Sequence, residues 1–131
     1  MEQWEFLKNT YIKMANYPKA IGPYSQAYQC GNTLYCSGQI AINPKTNEFI
    51  GGTIEDQTTQ VLKNIEGLLE AAGYGFEDVV KTTCFLAEMK DFSTFNSLYE
   101  KAFISKPARS CVAAKELPKS ALVEIEVIAV K

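Results

Sequence analysis

Two charged residues near the C-terminus, Arg109 and Glu124, are of types that could bind and protonate a small organic acid. A guanidinium is a rigid fork of donors that grips a carboxylate, and a carboxyl with a tuned pKa can carry protons during catalysis. On spacing alone, a simpler interpretation competes: Arg109 pairs with Glu124 or Glu126 across strands and only stabilises a sheet. Glu124 alone would by default be a solvated strand carboxylate.

Other groups with reactive potential are few, because the 131 residues include no histidine. This excludes Ser/His and Cys/His nucleophiles, HExxH zinc sites and the usual haem ligand. Cys111 lies two residues beyond Arg109, on the same face of a strand, but no histidine can deprotonate it, so we expect it to line a pocket. The other cysteines, Cys30, Cys36 and Cys84, show no CxxC spacing and are expected to be reduced core thiols.

The composition is that of one globular domain, with 47% hydrophobic and 21% charged residues. No apolar run approaches the roughly 18 to 20 residues of a membrane span, and the N-terminus lacks a secretory pattern, so a cytoplasmic location without membrane contact is expected. The net charge of −2 and thirteen scattered Lys and Arg residues argue against a nucleic-acid partner. The sequence has no phosphate-cradling glycine motif and no histidine-based metal cluster, and predicts no cofactor.

The hydrophobic pattern predicts the element order ββαβαββ, an α+β two-layer sandwich in which two helices cover one face of a mainly antiparallel sheet. Strands are predicted over residues 28–31, 33–39, 79–86, 109–114 and 123–130, with a loop over residues 42–52. A helix over roughly residues 55–72 begins with a capping box at Thr53 and Asp56 and ends at Gly73, and a second helix is capped by Asp91.

The last strand places alternate residues on two faces. Val123, Ile125, Val127 and Ala129 are expected to face the helices, and Glu124, Glu126 and Ile128 the other side. If this strand pairs with residues 109–114 around a turn centred near residues 116–117, antiparallel register places Glu124 opposite Arg109. Association of subunits through the second face would enclose its charged side chains in an interface.

A series of short motifs from residue 20 to the C-terminus closely resembles the RidA (YjgF) family. The motifs are AIGPYSQA (20–27), SGQI (37–40), AAG (71–73), VVKTT (79–83), PARS (107–110), LP (117–118) and EIE (124–126). The resemblance implies a chorismate-mutase-like fold, a homotrimer with sites between subunits, and hydrolysis of 2-aminoacrylate and 2-iminobutyrate to 2-keto acids and ammonia. It also implies that this activity protects pyridoxal-phosphate enzymes from the reactive enamine.

The resemblance also assigns roles to the candidate residues. Arg109 would hold the substrate carboxylate, Glu124 would move protons, Tyr24 would close the pocket and Asn96 would contribute an amide. Ser37 and Gly38 would let the ligand approach the backbone. Each has a plainer alternative: a half-buried loop aromatic for Tyr24, a simple bulge for Ser37 and Gly38, and an exposed amide for Asn96.

Two segments depart from the family pattern. The stretch before PARS, residues 100–106, is shorter than in many members and borders the expected cleft, where it would affect the size of substrate accepted. Residues 1–16 form an extension with no assigned role, ahead of a single domain over residues 17–131. Alternative functions are a non-catalytic keto-acid-binding or chaperone-like trimer and, less favoured, an endoribonuclease or translation inhibitor.

Overall fold

The computed structural model describes residues 17–131, so the predicted extension over residues 1–16 lies outside the described residues. Their order is ββ(ββ)αβαββ, which adds one short hairpin to the predicted order. The strands are β1 (Ala27–Cys30), β2 (Thr33–Gln39), β3 (Ile42–Asn43), β4 (Glu48–Phe49), β5 (Val79–Leu86), β6 (Ala108–Ala113) and β7 (Val123–Val130). The helices are α1 (Ile54–Ala71) and α2 (Phe92–Ala102). The segment predicted as a loop contains β3 and β4, which pair with each other.

The main sheet has the strand order β1-β2-β7-β5-β6. Its pairs are antiparallel except β5 and β6, which run parallel. The predicted pairing of β6 with β7 is therefore wrong, because β5 lies between them. The connection from β5 to β6 passes through α2, and a helical crossover of this kind returns the chain parallel to the strand it left. The α+β class with a mainly antiparallel sheet is confirmed.

The two helices differ in how they begin. The Thr53 hydroxyl accepts a hydrogen bond from the Asp56 amide, and the Asp56 carboxylate accepts one from the Thr53 amide, which confirms the predicted capping box. Asp91 makes no such bond, because it ends a 3-10 turn, Met89–Asp91, that leads directly into α2. Asp91 thus occupies the predicted N-cap position, but its side chain makes no capping hydrogen bond.

Both helices pack on one face of the sheet. Val123, Ile125, Val127 and Ala129 of β7 are buried, as the alternation predicts. The side chains of Phe95, Tyr99 and Phe103 join them from α2 and from the residue that ends it. Within residues 17–131, neither helix has the length and apolar character needed to cross a bilayer.

The opposite face of the sheet is only partly covered. Tyr28 and Tyr35 are cross-strand partners on β1 and β2, and each is about half exposed. Val112 and Val130 are also exposed, on the outer strand β6 and on the central strand β7. Exposed apolar groups close together on one face are characteristic of an interaction surface.

Candidate functional site

The side chain of Glu124 lines a cleft of about 580 Å³ at one end of β7. The cleft is formed by the segment before β1, the second half of β2, the β3–β4 hairpin and the turn before β7. Its lining includes Tyr24, Ser37, Gly38, Ile42, Phe49 and Glu124. The structure thus brings together four of the predicted site residues: Tyr24, Ser37, Gly38 and Glu124.

Gly38 allows the Glu124 carboxylate to lie against the backbone of β2. The β2–β7 register shifts between Cys36 and Gln39, so Ser37 and Gly38 form a bulge. A Cβ built on Gly38 would overlap the Glu124 carboxylate and lie 2.9 Å from its Cδ. The sequence predicted that a ligand approaches the backbone at Gly38, but in the structure the Glu124 side chain of the same chain lies there. The glycine thus sets where this carboxylate can lie.

The surroundings of Glu124 favour its protonated form. Partial burial raises the pKa of Glu124 above the ordinary carboxyl value, and the negative charge of Glu126 raises it further. A carboxyl with a raised pKa keeps its proton to higher pH than an ordinary glutamate, and so can act as a general acid over a wider pH range. This is the electrostatic condition that a proton carrier needs.

Tyr24 and Ser37 are held in different ways. Tyr24 is 49% exposed, and its hydroxyl has no recorded partner among the described residues. Ser37 donates twice within the chain, from its hydroxyl to the Ser25 carbonyl at 2.6 Å and from its amide to the Gln26 carbonyl at 2.9 Å. Ser37 can therefore offer a ligand only its hydroxyl oxygen as an acceptor, whereas the Tyr24 hydroxyl is available as a donor.

Arg109 belongs to a second cluster, at the outer strand β6. Its Nη1 donates to Asn96 Oδ1 at 2.6 Å, and its guanidinium carbon lies 4.7 Å from the ring centre of Tyr99 and 5.4 Å from that of Phe92. Among residues 17–131, no carboxylate lies within ion-pair distance of Arg109, so the predicted alternative of a pairing with Glu124 or Glu126 is not found. A guanidinium held by an amide and two rings keeps donors free for an anion.

Cys111 lies next to Arg109 and is paired in register with Cys84 of β5. Burial raises the pKa of the Cys111 thiol, although the Arg109 charge opposes this, and burial raises the pKa of Cys84 to about 12. Thiols with raised pKa values are weak nucleophiles because little thiolate forms. Cys111 is thus suited to lining a pocket rather than to covalent catalysis. Cys36 is buried as predicted, but Cys30 is exposed, so its assignment to the core is wrong.

The two clusters lie on opposite faces of the sheet. Arg109 is in register with the buried Thr82 and reaches Asn96 on α2, so it lies on the helix side. Glu124 alternates with the buried Val123 and Ile125 and lies on the other side. The predicted cross-strand placement of Glu124 opposite Arg109 is wrong, because Phe85 of β5 occupies that position. One chain does not bring these two side chains into one site.

Sequence reasoning missed the residues that support the Arg109 cluster. The Tyr99 and Thr82 hydroxyls lie 2.7 Å apart, and Thr82 is fully buried. Hydrophobic periodicity places Tyr99 and Phe92 on the apolar face of α2 and gives no sign of their contact with Arg109. The available signal was the spacing of Phe92, Asn96 and Tyr99 at helical intervals, which places all three on neighbouring positions of one helix face.

Over residues 17–131, no three side chains of Cys, Asp or Glu converge in a way that could hold a metal ion. The functional groups of the two clusters are a carboxyl, a guanidinium, phenols, an amide and a thiol.

Comparison with known proteins identifies the family. The model of the Endoribonuclease L-PSP family matches residues 14–131. A RutC family protein of Pyrococcus horikoshii is 55% identical over 117 residues, covering 88% of this chain and 93% of that protein. A 2-iminobutanoate/2-iminopropanoate deaminase of Dermatophagoides farinae is 48% identical over 114 residues, covering 86% of this chain and 89% of that protein.

A solved structure agrees with these relatives. A member of the conserved Rid protein family from Yersinia pestis superimposes with a TM-score of 0.86 at 49% identity, covering 90% of this chain and 95% of that one. The chain belongs to the Endoribonuclease L-PSP family, which includes the Rid proteins, and the resemblance seen in the sequence motifs is confirmed.

We expect Gly38→Ala to separate the position of the Glu124 carboxylate from the stability of the fold. The new Cβ would displace the flexible end of the Glu124 side chain, and a misplacement of about 1 Å can cost roughly 10²-fold in rate. The free energy of unfolding should change by no more than about 1 kcal/mol. Assays of catalytic turnover and urea unfolding would measure the two effects.

Gly75→Ala is a matched control for this substitution. A Cβ on Gly75 would overlap the Glu77 carboxylate in the same manner, and neither residue lines the cleft. Equal activity losses in the two variants would contradict a specific role for Gly38.

Proposed function

We propose that this protein is an imine deaminase, which hydrolyses enamines and imines of 2-amino acids, such as 2-aminoacrylate and 2-iminobutyrate, to 2-keto acids and ammonia. The observation that carries the proposal is the state of Arg109. Its guanidinium is stacked on two rings and bound by one amide, yet no carboxylate of the described residues neutralises it. Such a group is prepared for a small carboxylate ligand, which it can grip through two parallel hydrogen bonds.

Glu124 supplies the proton chemistry of this reaction. The enamine takes a proton from the Glu124 carboxyl at carbon 3 and becomes an iminium ion. Water adds at carbon 2 and returns a proton to Glu124, and the carbinolamine collapses to the keto acid and ammonia. One substrate and one water therefore give one keto acid and one ammonia. The raised pKa of Glu124 supports this role, because its acid form persists to higher pH than that of an ordinary glutamate.

Substrate and proton carrier meet, in this proposal, at a site shared between subunits of a homotrimer. Glu124, Gly38 and Tyr24 come from one subunit, and Arg109, Asn96 and Cys111 from its neighbour. The separation of the two clusters on opposite faces of the sheet supports this arrangement. The exposed Tyr28, Tyr35 and Val112 on the partly covered face supply apolar surface for the association.

Several observations favour deamination over RNA cleavage, which the name of the family model suggests. The chain is acidic overall and contains no histidine for general acid–base catalysis on a ribose hydroxyl. One of the close relatives is named as a 2-iminobutanoate/2-iminopropanoate deaminase. In keeping with this function, we propose that the protein acts in the cytoplasm and protects pyridoxal-phosphate enzymes from reactive enamines.

The decisive test of the shared site is complementation between two inactive variants. Threonine dehydratase acting on threonine would supply the imine, and release of 2-ketobutyrate would be followed with wild type, Arg109→Ala, Glu124→Ala and a co-expressed mixture of the two variants. We expect each variant alone to be inactive. In a closed ring, random 1:1 mixing restores an intact site at about a quarter of the interfaces, so the mixture should regain roughly that share of wild-type activity.

The alternative outcomes are distinct. No recovery in the mixture, with active wild type, would place the whole site within one chain. No acceleration by wild type would favour a protein that binds keto acids without turning them over, and binding would then survive Glu124→Ala. Sedimentation of the wild type checks the assembly directly, and a stable monomer would contradict the shared site.

A further inference from the structure

Two glutamines beside the Glu124 cleft, Gln26 and Gln39, form a contact that we call the glutamine clasp. Gln39 is only 3% exposed, and its Nε2 donates to Gln26 Oε1 at 2.9 Å and to the Ser37 carbonyl at 3.0 Å. Gln26 Nε2 in turn donates to the Pro18 carbonyl at 2.7 Å. Both residues lie in motifs that characterise the sequence, yet neither has a part in the proposed chemistry.

The clasp joins the two pieces of chain that form the cleft. One piece is the segment over residues 18–26, which carries Tyr24, and the other is the bulge of β2, which carries Gly38. The two bonds donated by Ser37, to Ser25 and Gln26, connect the same two pieces. Among residues 17–131, the hydrogen bond of Tyr24 is the one that its backbone amide donates to the Gly22 carbonyl at 2.8 Å.

We propose that Gln26 and Gln39 are positioning residues, which fix the Tyr24 hydroxyl relative to the Glu124 carboxylate. This inference rests on the proposed deaminase function. A buried amide pair is suited to this role, because breaking its hydrogen bonds leaves a buried amide without a partner, at a cost in free energy. The two glutamine side chains are therefore held at a nearly fixed distance from each other. Gly38 limits where Glu124 can lie, and the clasp sets where Tyr24 lies relative to that point.

The proposal makes a kinetic prediction for Gln39→Leu, which keeps the approximate volume but removes both hydrogen bonds. The segment that carries Tyr24 should loosen, and misplacement by about 1 Å would lower kcat by roughly 10²-fold. The KM should change by less than about threefold, because the carboxylate is bound by Arg109 in the other cluster. Backbone hydrogen exchange at Tyr24 and Ser37 should also become faster than in wild type.

Gln57→Leu is the matched control. Gln57 is likewise 3% exposed and makes two hydrogen bonds, donating to the Gly52 carbonyl at 3.0 Å and accepting from the Leu122 amide at 2.9 Å. It contacts neither Tyr24 nor the bulge. We expect Gln57→Leu to lower stability to a similar extent as Gln39→Leu while leaving kcat near the wild-type value.

The pH dependence of kcat in Gln39→Glu distinguishes a positioning role from a purely structural one. The ionised carboxylate has no proton to donate to Gln26 or Ser37, whereas the protonated form can donate one hydrogen bond. The kcat of Gln39→Glu relative to wild type should therefore fall as pH rises. A ratio that does not vary with pH would contradict the positioning role.

The failure of this inference differs from failure of the proposed function. If wild type is active and Gln39→Leu loses no more kcat than Gln57→Leu, the clasp only supports the fold and the inference is overturned. If wild type is inactive, the proposed function fails, and hydrogen exchange then tests the inference by itself. Unchanged exchange at Tyr24 and Ser37 in Gln39→Leu overturns the inference. Faster exchange confined to these two residues supports it.

Discussion

Glu124→Gln is expected to lower kcat by about 10²-fold to 10⁴-fold, the usual contribution of a positioned general acid or base. The glutamine has almost the same size and can lie beside Gly38, but it cannot give a proton to the enamine carbon or take one from water. The KM should change little, because the Arg109 cluster is untouched. The measurement is the rate of keto-acid release across a range of substrate concentrations.

The pH dependence of stability provides a control for Glu124→Gln. Because the folded-state pKa of Glu124 is raised, its protonated form contributes stability that is present below the unfolded pKa. That contribution is lost as pH rises through the folded pKa. Relative to wild type, Glu124→Gln should therefore gain stability as pH increases from about 4 to 8, where wild type must bury a charge. Lower stability of the variant at pH 8 would indicate that its inactivity reflects damage to the fold.

Arg109→Lys should raise the KM by roughly 10²-fold or more. Lysine keeps the positive charge but lacks the fork, and loss of about two charge-assisted hydrogen bonds removes on the order of 3 kcal/mol of binding. The compact ammonium also loses the planar stacking on Tyr99 and Phe92. Titration of 2-ketobutyrate, the product of the proposed reaction, into each variant would measure the affinity directly.

Lys81→Arg provides the comparison for Arg109→Lys. Lys81 is a cation on β5, next to β6, and it belongs to neither cluster. Its ammonium donates a hydrogen bond to the Ser110 hydroxyl at 3.2 Å. An exchange of Lys and Arg there should leave the KM unchanged. If Arg109→Lys also left it unchanged, carboxylate binding by Arg109 would be refuted.

The sequence was sufficient to predict most elements of the fold, because their hydrophobic periods are strong. The helix at Ile54–Ala71 has a capping box at one end and a glycine with a positive φ beyond the other. The alternation in Val123–Val130 correctly assigned Val123 and Ile125 to the core. These are local signals, each contained within a few residues.

The order of the strands could not be obtained in the same way. Alternation shows which face a residue occupies, but it does not show which strand lies beside it. The short distance from Ala113 to Val123 suggested a hairpin, whereas β7 pairs with β2 and β5 instead. The helix between β5 and β6 is the local sign that these two strands run parallel, because a crossover helix returns the chain in the same direction.

The sequence named the candidate site residues, but it did not show how they divide between the two faces of the sheet. The motifs indicated Arg109, Glu124, Tyr24 and Gly38. Arg109 is in register with Thr82 and lies on the helix side, whereas Glu124 is in register with Phe85 and lies on the other side. The glutamine clasp was not predicted, since the burial of a polar side chain depends on a partner distant in sequence.

The placement of Glu124 and Arg109 on opposite faces of one sheet determines how a mutant chain would affect wild-type chains in the same assembly. In the proposed homotrimer with shared sites, each chain takes part in two sites, one through each face. A chain with both Glu124→Gln and Arg109→Lys would assemble normally and inactivate about two-thirds of the sites in any trimer that contains one copy. Such an allele would be dominant over the wild type, even though it removes function without adding a new one.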